Sequence, residues 1–252
     1  MIKIDSVSFS YNNKSLVLND FSLDINRNDF ISIVGLSGCG KSTLLHLLAG
    51  FITPTKGNIF VKNIKVNEPS SERVMIFQED AVFPWYSVID NIKYPLVNKR
   101  GKDNIDDIDD IASHYINLVG LGGFKDFYPK QLSGGMKKRV DLARAYAANP
   151  EILLMDEPFG ALDTHTRQKM QKLLLDLWEH EHKTILFVTH DISEAVFLSN
   201  RVVLMSINGG LYNICDVNFE RPRNMEIKKS QDFINVVSLI ENDILKMESN
   251  DQ

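Results

Sequence analysis

A glycine-rich loop between an apolar run and a helix-like segment is the feature that most constrains this chain. Residues 35–43 read Gly-Leu-Ser-Gly-Cys-Gly-Lys-Ser-Thr, which fits the pattern of glycine, any four residues, glycine, lysine and serine or threonine. Residues 30–34 are apolar on both faces, as in a buried strand, and residues 41–49 resemble a helix. The sequence therefore predicts a strand, a phosphate-binding loop and a helix in this order.

The side chains of the loop suggest distinct roles. The glycines allow the backbone to direct successive N–H groups inward, and the helix start adds a positive potential. Lys41 can reach the β and γ phosphates of a nucleotide, and the Ser42 hydroxyl can bind Mg²⁺. Cys39 is interpreted as a small spacer rather than as a redox-sensitive thiol. The alternative, an ordinary glycine-rich turn, is disfavoured by the strand and helix that flank the loop.

A pair of acidic residues follows a second apolar run. Asp156 and Glu157 come directly after residues 152–155. At the end of a buried parallel strand, Asp156 can hold Mg²⁺, often through water, and Glu157 can polarise an attacking water. This pair favours hydrolysis over phosphoryl transfer. The alternative is that one of the two carboxylates caps a helix near Pro158.

Small residues also precede the helical segment at residues 140–148. Ser133, Gly134 and Gly135 stand just before this segment, separated from it by basic residues at 137–139. A helix start of this kind is a second potential anion site. An ordinary serine N-cap would have the same sequence, so the spacing leaves both interpretations open.

Two kinds of apolar pattern predict two kinds of sheet. Residues 2–11 and 21–25 mostly alternate between apolar and polar, which predicts antiparallel strands, and Asn12 and Asn13 are typical of a turn. A parallel sheet covered by helices is predicted by runs that are apolar on both faces, at residues 30–34, 152–155, 185–188 and 202–205.

Between about residues 79 and 150 the pattern becomes helical. One amphipathic helix is marked by an apolar stripe at Ile105, Ile108, Ala112, Tyr115 and Val119. Four acidic residues outside this stripe are interpreted as a solvated helix face, with a partner site as the alternative: Asp106, Asp107, Asp109 and Asp110. This region is predicted to be a helical insertion.

Length and composition exclude several classes of protein. The 252 residues suit one large domain or two small ones, and the tail after Cys215 is too short for another. The net charge of −5 argues against a general nucleic-acid binder. Two distant cysteines argue against a disulfide framework and for a reducing compartment. With no secretory signal and no apolar run of about 18 residues, we expect a chain that is soluble on its own.

In order and spacing, these motifs resemble the nucleotide-binding subunit of an ATP-binding cassette (ABC) transporter over residues 1–215. The resemblance implies an α/β P-loop NTPase with a RecA-like mixed and parallel sheet core, an N-terminal antiparallel β subdomain and an inserted α-helical subdomain. The nucleotide-binding core would be residues 1–78 and 151–215, and the helical signature subdomain residues 79–150. Residues 216–252 would form a tail with a helix.

The resemblance also implies a role for each site residue. Gln78 would touch Mg²⁺ and water and sense the membrane partner, and His190 would sense the γ-phosphate. The catalytic residues would be Glu157, His190, Gln78 and Lys41. The Mg²⁺ ligands would be Ser42, Gln78 and Asp156. The ATP-binding residues would be Tyr11, Gly35, Ser37, Gly38, Cys39, Gly40, Lys41, Ser42, Thr43, Gln78, Ser133, Gly134, Gly135, Asp156 and Asp163.

For five of these residues the resemblance implies a more specific position. Tyr11 would stack on adenine, and the loop containing Asp163 would cross to the opposite subunit. Residues 133–135 would form the signature that meets the γ-phosphate across a dimer. Met136 departs from the glutamine of many relatives and cannot offer its amide contacts.

The implied partners are a second copy in an ATP-sandwich dimer, integral membrane permease subunits and, indirectly, a substrate-binding protein, with no nucleic acid. The implied location is peripheral, on the cytoplasmic face of the cell membrane. Residues 83–86 would line a groove for a coupling helix of the permease or belong to the core of the helical subdomain.

Met136, residues 78–92 and the Arg221-Pro222-Arg223 segment resemble importers for nitrate, taurine, alkanesulfonates and thiamin precursors. One alternative is a soluble ABC ATPase acting on ribosomes or DNA, against which the single cassette without heptads or a basic arm argues. A small-molecule kinase is a less favoured alternative, because that function leaves Asp156, Glu157 and residues 132–135 unexplained.

Overall fold

The structure is a computed structural model that describes residues 1–11, 15–100 and 105–250. The turn predicted at Asn12 and Asn13 lies outside the described residues. The strands, numbered in chain order, are β1 (Ile2–Phe9), β2 (Leu18–Ile25), β3 (Phe30–Gly35), β4 (Lys56–Val61), β5 (Ile64–Lys65), β6 (Arg73–Ile76), β7 (Ile152–Asp156), β8 (Thr184–Val188), β9 (Arg201–Met205) and β10 (Leu211–Asp216).

The helices pack on both faces of the larger sheet and between the two sheets. They are α1 (Lys41–Ala49), α2 (Val88–Arg100), α3 (Ile105–Leu118), α4 (Gly134–Ala147), α5 (Thr164–Glu181), α6 (Ile192–Leu198) and α7 (Gln231–Asn250). Helices α2, α3 and α4 contact one another and lie in the chain between β6 and β7. No helix among the described residues has the length and apolar content needed to cross a membrane.

The larger sheet has the strand order β10-β9-β3-β8-β7-β6, in which β10 is antiparallel to β9 and the other pairs are parallel. The four predicted parallel strands are confirmed as β3, β7, β8 and β9. The parallel arrangement brings the carboxyl ends of β3, β7 and β8 to one edge, since Asp156 pairs with Val188 and Ile33 pairs with the same residue. This edge positions the functional site.

The smaller sheet has the order β2-β1-β4-β5, with antiparallel pairs throughout. Two of its strands are the antiparallel strands predicted from the alternating pattern, which are confirmed. Its inner face and α1 share a hydrophobic cluster with one side of the larger sheet, to which Ile31 and Ile33 contribute. Phe30 and Val34 point to the other side and belong to the cluster with the remaining helices. This two-sided burial explains why β3 is apolar at nearly every position.

The amphipathic helix predicted around residue 108 is confirmed as α3. Ile108, Ala112 and Tyr115 are buried in the larger hydrophobic cluster. Of the acidic residues outside the stripe, Asp109 pairs with Lys93 of α2 at 2.6 Å. The acidic side of the helix therefore contributes at least one ion pair that joins α3 to its neighbour.

The tail packs against the body of the protein through α6. Phe233, Ile240 and Met247 of α7 are buried in the larger hydrophobic cluster. Arg223 is 2% exposed and donates hydrogen bonds of 2.8–3.1 Å to the carbonyls of Val196, Phe197 and Ser199. A guanidinium at the carboxyl end of α6 satisfies carbonyls that have no partner within the helix, and its charge complements the helix dipole.

Candidate functional site

The glycine-rich loop joins the buried strand β3 to α1. Gly40 is the N-cap of α1 with a φ of 99°, and a Cβ atom there would lie 2.7 Å from the carbonyl oxygen of Val17. Both observations require glycine, because an L side chain is strained at this φ and the space is occupied. Lys41 is 8% exposed and its Nζ donates to the carbonyls of Gly35 and Leu36, each at 2.9 Å. The structure thus places the ammonium group within the loop.

The loop and the first carboxylate are joined directly. Ser42 donates a hydrogen bond from Oγ to Oδ1 of Asp156, which ends β7, at 3.1 Å. Burial raises the pKa of the Asp156 carboxyl above its ordinary value, although the Ser42 hydrogen bond opposes this shift. Two hard oxygen ligands this close suit Mg²⁺, which keeps several waters and needs few protein ligands. Among the described residues, no cluster of three or more His, Cys, Asp or Glu side chains forms a metal site.

Glu157 and His190 form a second pair at the same edge. Nδ1 of His190 lies 2.9 Å from Oε2 of Glu157, and the side chains are 66% and 23% exposed. Glu157 has a φ of 41°, which is unfavourable for a side chain with a Cβ, and its N–H donates to the carbonyl of Val188 at the end of β8. A strained backbone held by a neighbouring strand is a frequent property of functional positions. It directs the Glu157 carboxylate towards His190 rather than along β7.

Gln78 is exposed, two residues beyond the end of β6. Its side chain has no described contact, but its backbone is held by α4. Lys138 is 4% exposed and donates to the carbonyls of Phe77 and Gln78 at 3.2 and 2.7 Å. Its ammonium also lies 3.5 Å from the Asp80 carboxylate. The structure therefore ties the Gln78 segment to the helix that follows Ser133.

Two further residues of α4 continue this attachment. Asp141 is 2% exposed and accepts from the N–H of Ala81 at 3.2 Å, while Arg144 donates to the Ala81 carbonyl at 2.8 Å and to Asp141 at 2.7 Å. The guanidinium of Arg144 also lies over the Phe83 ring, 5.0 Å from its centroid. We call Lys138, Asp141 and Arg144 the α4 clamp. Sequence reasoning missed it, because charged residues of a helix are usually exposed and only the tertiary contacts show that these three are turned towards residues 77–83.

Ser133 is the N-cap of α4, and its Oγ accepts from the N–H of Met136 at 3.3 Å. A Cβ atom on Gly134 would meet nothing within 4 Å, so this first turn is open. A Cβ atom on Gly135 would lie 2.5 Å from Cγ2 of Thr166 in α5, so a larger residue there would require the Thr166 side chain to move. Met136 is half-buried and packs against the larger hydrophobic cluster. The open serine and glycine face fits either an anion site or a simple cap.

Asp163 is the N-cap of α5 and accepts from the N–H of Thr166 at 3.0 Å. The hydrogen bonds from Thr166 hold the pKa of the Asp163 carboxyl below its ordinary value. Within the chain, Asp163 therefore acts as a helix cap, at the side of α5 that Gly135 contacts.

Tyr11 is 59% exposed and its hydroxyl lies 3.2 Å from Oγ1 of Thr43 on α1. Its ring packs edge to face against Phe9, with 4.8 Å between the centroids. The structure thus places an exposed aromatic ring beside the glycine-rich loop, where a planar base attached to bound phosphates can stack on it.

The chain matches known proteins along most of its length. The ABC transporter family profile matches residues 18–160, more than half of the chain. The chain is 42% identical over 220 residues to the aliphatic sulfonates import ATP-binding protein of Bacillus thuringiensis subsp. konkukian, covering 86% of this chain and 84% of that protein. It is 41% identical over 214 residues to the nitrate import ATP-binding protein of Synechococcus elongatus, covering 84% of this chain and 78% of that protein.

Solved structures agree with this match. The ATP-binding cassette MJ0796, a dimer in a post-hydrolysis state bound to ADP and Pi, superimposes with a TM-score of 0.74 and 31% sequence identity. The alignment covers 87% of this chain and all of that chain. The predicted α/β P-loop NTPase fold is confirmed. The chain belongs to the ABC transporter family and is an ATP-hydrolysing subunit of that family.

Proposed function

We propose that this chain is the ATP-hydrolysing subunit of an importer and that residues from two copies complete each ATP site. The observation that carries the proposal is the meeting of two residue pairs beside the glycine-rich loop. Ser42 with Asp156 and Glu157 with His190 lie at the same edge of the larger sheet. One pair offers metal ligands and the other offers a base with a polar partner.

The two pairs divide the chemistry between them. Lys41 and the loop N–H groups bind the phosphates, and Ser42, Asp156 and Gln78 are the proposed Mg²⁺ ligands. When bound, Mg²⁺ neutralises charge on the phosphates. Glu157 orients and polarises the attacking water, and His190 holds the Glu157 carboxylate and contacts the γ-phosphate.

The start of α4 supplies the second half of the site. Ser133, Gly134 and Gly135 offer N–H groups and a hydroxyl to an anion. Close to them in the described structure there is no pair equivalent to Glu157 and His190. We therefore assign them to the γ-phosphate bound by a second copy, with Asp163 in the loop that passes between the copies. ATP stabilises the closed dimer through its greater affinity for that state, and hydrolysis removes this stabilisation.

The dimer would act on membrane subunits from the cytoplasmic face of the membrane. Trp85 is 66% exposed and belongs to an aromatic cluster with Phe83, Tyr86 and Tyr94. An exposed tryptophan in such a cluster suits the groove for a permease coupling helix. We keep residues 79–150 as the helical subdomain, residues 1–78 and 151–215 as the nucleotide-binding core, and residues 216–252 as the tail.

The cargo is proposed to be a small organic or inorganic anion, such as a sulfonate, taurine or nitrate, or a thiamin precursor, delivered by a substrate-binding protein. Relatives named for sulfonate and nitrate import support this class. The alternative is a soluble ABC ATPase that acts on ribosomes or DNA. Stimulation of hydrolysis by membranes containing the permease, but not by RNA or DNA, supports the importer; stimulation by nucleic acid alone supports the alternative.

Glu157→Gln tests the assigned chemistry. We expect at least about a 100-fold lower turnover with nearly unchanged ATP affinity, because the amide keeps its place beside His190 but cannot polarise water. Turnover is measured by phosphate release and affinity by titration with a fluorescent ATP analogue. Glu226→Gln, an exposed residue of the tail, is the matched control and should match the wild type. Undiminished turnover in Glu157→Gln would contradict the assignment.

A further inference from the structure

A chain of hydrogen bonds connects the tail to the loop that carries His190. Lys228 donates from Nζ to Oε1 of Gln171 in α5 at 2.9 Å. Nε2 of Gln171 donates to Oε1 of Glu194 in α6, also at 2.9 Å. Oε2 of Glu194 accepts from the hydroxyl of Thr189 at 2.6 Å. We call Lys228, Gln171, Glu194 and Thr189 the tail relay.

The relay is closed to water over most of its length. Gln171 is 2% exposed, Thr189 3% and Glu194 4%. Burial raises the pKa of the Glu194 carboxyl and lowers the pKa of the Lys228 ammonium. Lys228 also lies over the Phe197 ring, 4.6 Å from its centroid, which favours the cation at this place. Buried polar groups of this kind require complete hydrogen bonding, so each link constrains the next.

The relay ends on both neighbours of His190. Oγ1 of Thr189 accepts from the N–H of Asp191 at 3.1 Å, and Asp191 caps α6 by accepting from the N–H of Glu194 at 2.9 Å. His190 is mostly exposed, and Glu157 is its described side-chain partner. The orientation of the His190 ring therefore depends on the backbone that Thr189 and Asp191 hold.

Lys228 and Glu194 together hold the Gln171 amide in one orientation. Because the ammonium only donates, it takes the amide oxygen and leaves the NH₂ group for Glu194. Without Lys228, the buried amide oxygen of Gln171 is left without its donor, so the Gln171 side chain would move towards another donor and weaken its hydrogen bond to the Glu194 carboxylate. The Glu194 carboxylate would then be held less firmly, and the Thr189 hydroxyl that donates to it would shift together with the His190 loop.

We propose that Lys228 in the tail is a positioning residue for ATP hydrolysis, which acts on His190 through Gln171, Glu194 and Thr189. This inference rests on the proposed function of Glu157 and His190. It assigns the tail a part in setting the hydrolysis rate of its own chain, in addition to packing on α6.

The test compares Lys228→Met with Lys229→Met in the full chain. Lys229 is the matched control, because it is 76% exposed and pairs with the exposed Glu226. We expect Lys228→Met to lower kcat about tenfold with little change in KM for ATP, since a small displacement of a catalytic group is costly while the phosphate-binding loop is untouched. Lys229→Met should keep the wild-type kcat, and Lys228→Arg, which retains a cationic donor, should recover most of the loss.

A double-mutant cycle separates the relay from simple anchoring of the tail. Gln171→Met should lower kcat by a similar factor, and the double variant should be no slower than either single variant. Losses that multiply in the double variant, or an unchanged kcat in Lys228→Met, would overturn the relay. If Lys228→Met does not fold, as judged by urea unfolding, Lys228→Ala, which also removes the donor, replaces it and an unchanged kcat there has the same meaning.

Glu157→Gln and His190→Ala are measured in parallel. If both retain the wild-type turnover, the proposed function fails. If both lose it while Lys228→Met does not, the relay alone fails.

Discussion

The two helix starts that carry small residues differ in what surrounds them. At the start of α1, Lys41 is buried in the loop, Ser42 reaches Asp156, and Tyr11 lies on Thr43. At the start of α4, Ser133 is exposed and a Cβ on Gly134 would meet nothing within 4 Å. The first is equipped for chemistry within its own chain, whereas the second offers only backbone and hydroxyl groups. This difference is the basis of our proposal that the start of α4 completes the ATP site of a second copy.

The two lysines that follow Ser133 contact residues 77–80 and are not directed at the open face of the helix start. Lys138 is committed to the carbonyls of Phe77 and Gln78, and Lys137 lies 3.6 Å from the Asp80 carboxylate. The start of α4 is thus linked by its own helix to the segment that contains Gln78. In the proposed dimer, an anion bound at Ser133 would therefore be linked through α4 to the Gln78 segment of the same chain.

The largest predicted effect comes from a variant that changes the start of α4 and leaves the start of α1 unaltered. Ser133→Arg should reduce ATP hydrolysis by at least about 100-fold, because a bulky side chain blocks the open face that we assign to the γ-phosphate of the second copy. ATP affinity of the monomer should stay within about twofold, since the start of α1 is unchanged. Phosphate release and titration with a fluorescent ATP analogue measure the two quantities.

The control for this variant is Ser249→Arg, at an exposed position of α7. It adds the same side chain away from both helix starts and should leave hydrolysis unchanged. Loss of ATP binding in monomeric Ser133→Arg would show that α4 belongs to the site of its own chain.

The next effect concerns the link between the two regions. Lys138→Met should lower the free energy of unfolding by about 1.5–3 kcal/mol, because two carbonyls lose a buried cationic donor. Hydrolysis should fall about tenfold as the Gln78 segment loosens. Lys137→Met removes a half-buried lysine of the same helix and should cost less than about 1 kcal/mol. Urea unfolding and turnover are measured for both, and equal effects would contradict a specific role of Lys138.

The smallest predicted effect is on the thermal stability of the protein, and it concerns Asp156, which is hydrogen-bonded to Ser42 at the start of α1. Burial raises the pKa of Asp156 in the folded protein, so the ionised carboxylate disfavours folding above that pKa. Asp156→Asn should therefore raise Tm by about 2 °C at pH 7. The gain should vanish as the pH falls below the ordinary value of 3.8, where both states are protonated. Thermal unfolding between pH 3 and pH 7 tests this; a lower Tm at pH 7 would contradict it.

The sequence predicted the parts whose signal is local. The central strands β3, β7 and β8 were predictable because both of their faces are buried and nearly every residue is apolar. Two strands of the same sheet were missed. β6 has only four residues and is mostly half-buried, and the edge strand β10 is largely exposed, so neither has a clear apolar pattern.

The sequence could not predict the contacts that join distant segments. Lys138 and Gln78 are 60 positions apart, and Lys228 and Gln171 are 57 apart. Lysine and glutamine side chains are usually exposed, so the burial of Lys138 and Gln171 depends on tertiary packing that local patterns do not encode. The tail shows the same limit, because Arg223 resembles a surface residue in sequence and is 2% exposed in the structure.

The central claim is that each ATP site is shared between two copies of the chain. Dimer formation by two complementary variants tests it most directly, and both variants carry Glu157→Gln so that bound ATP is retained. Lys41→Ala disables the start of α1 and Ser133→Arg disables the start of α4. With ATP, light scattering should show monomers for each variant alone. Their mixture should form a heterodimer that retains one ATP, because one complete site then pairs an intact loop with an intact Ser133 from the other chain. A mixture that stays monomeric would contradict ATP sites shared between two copies.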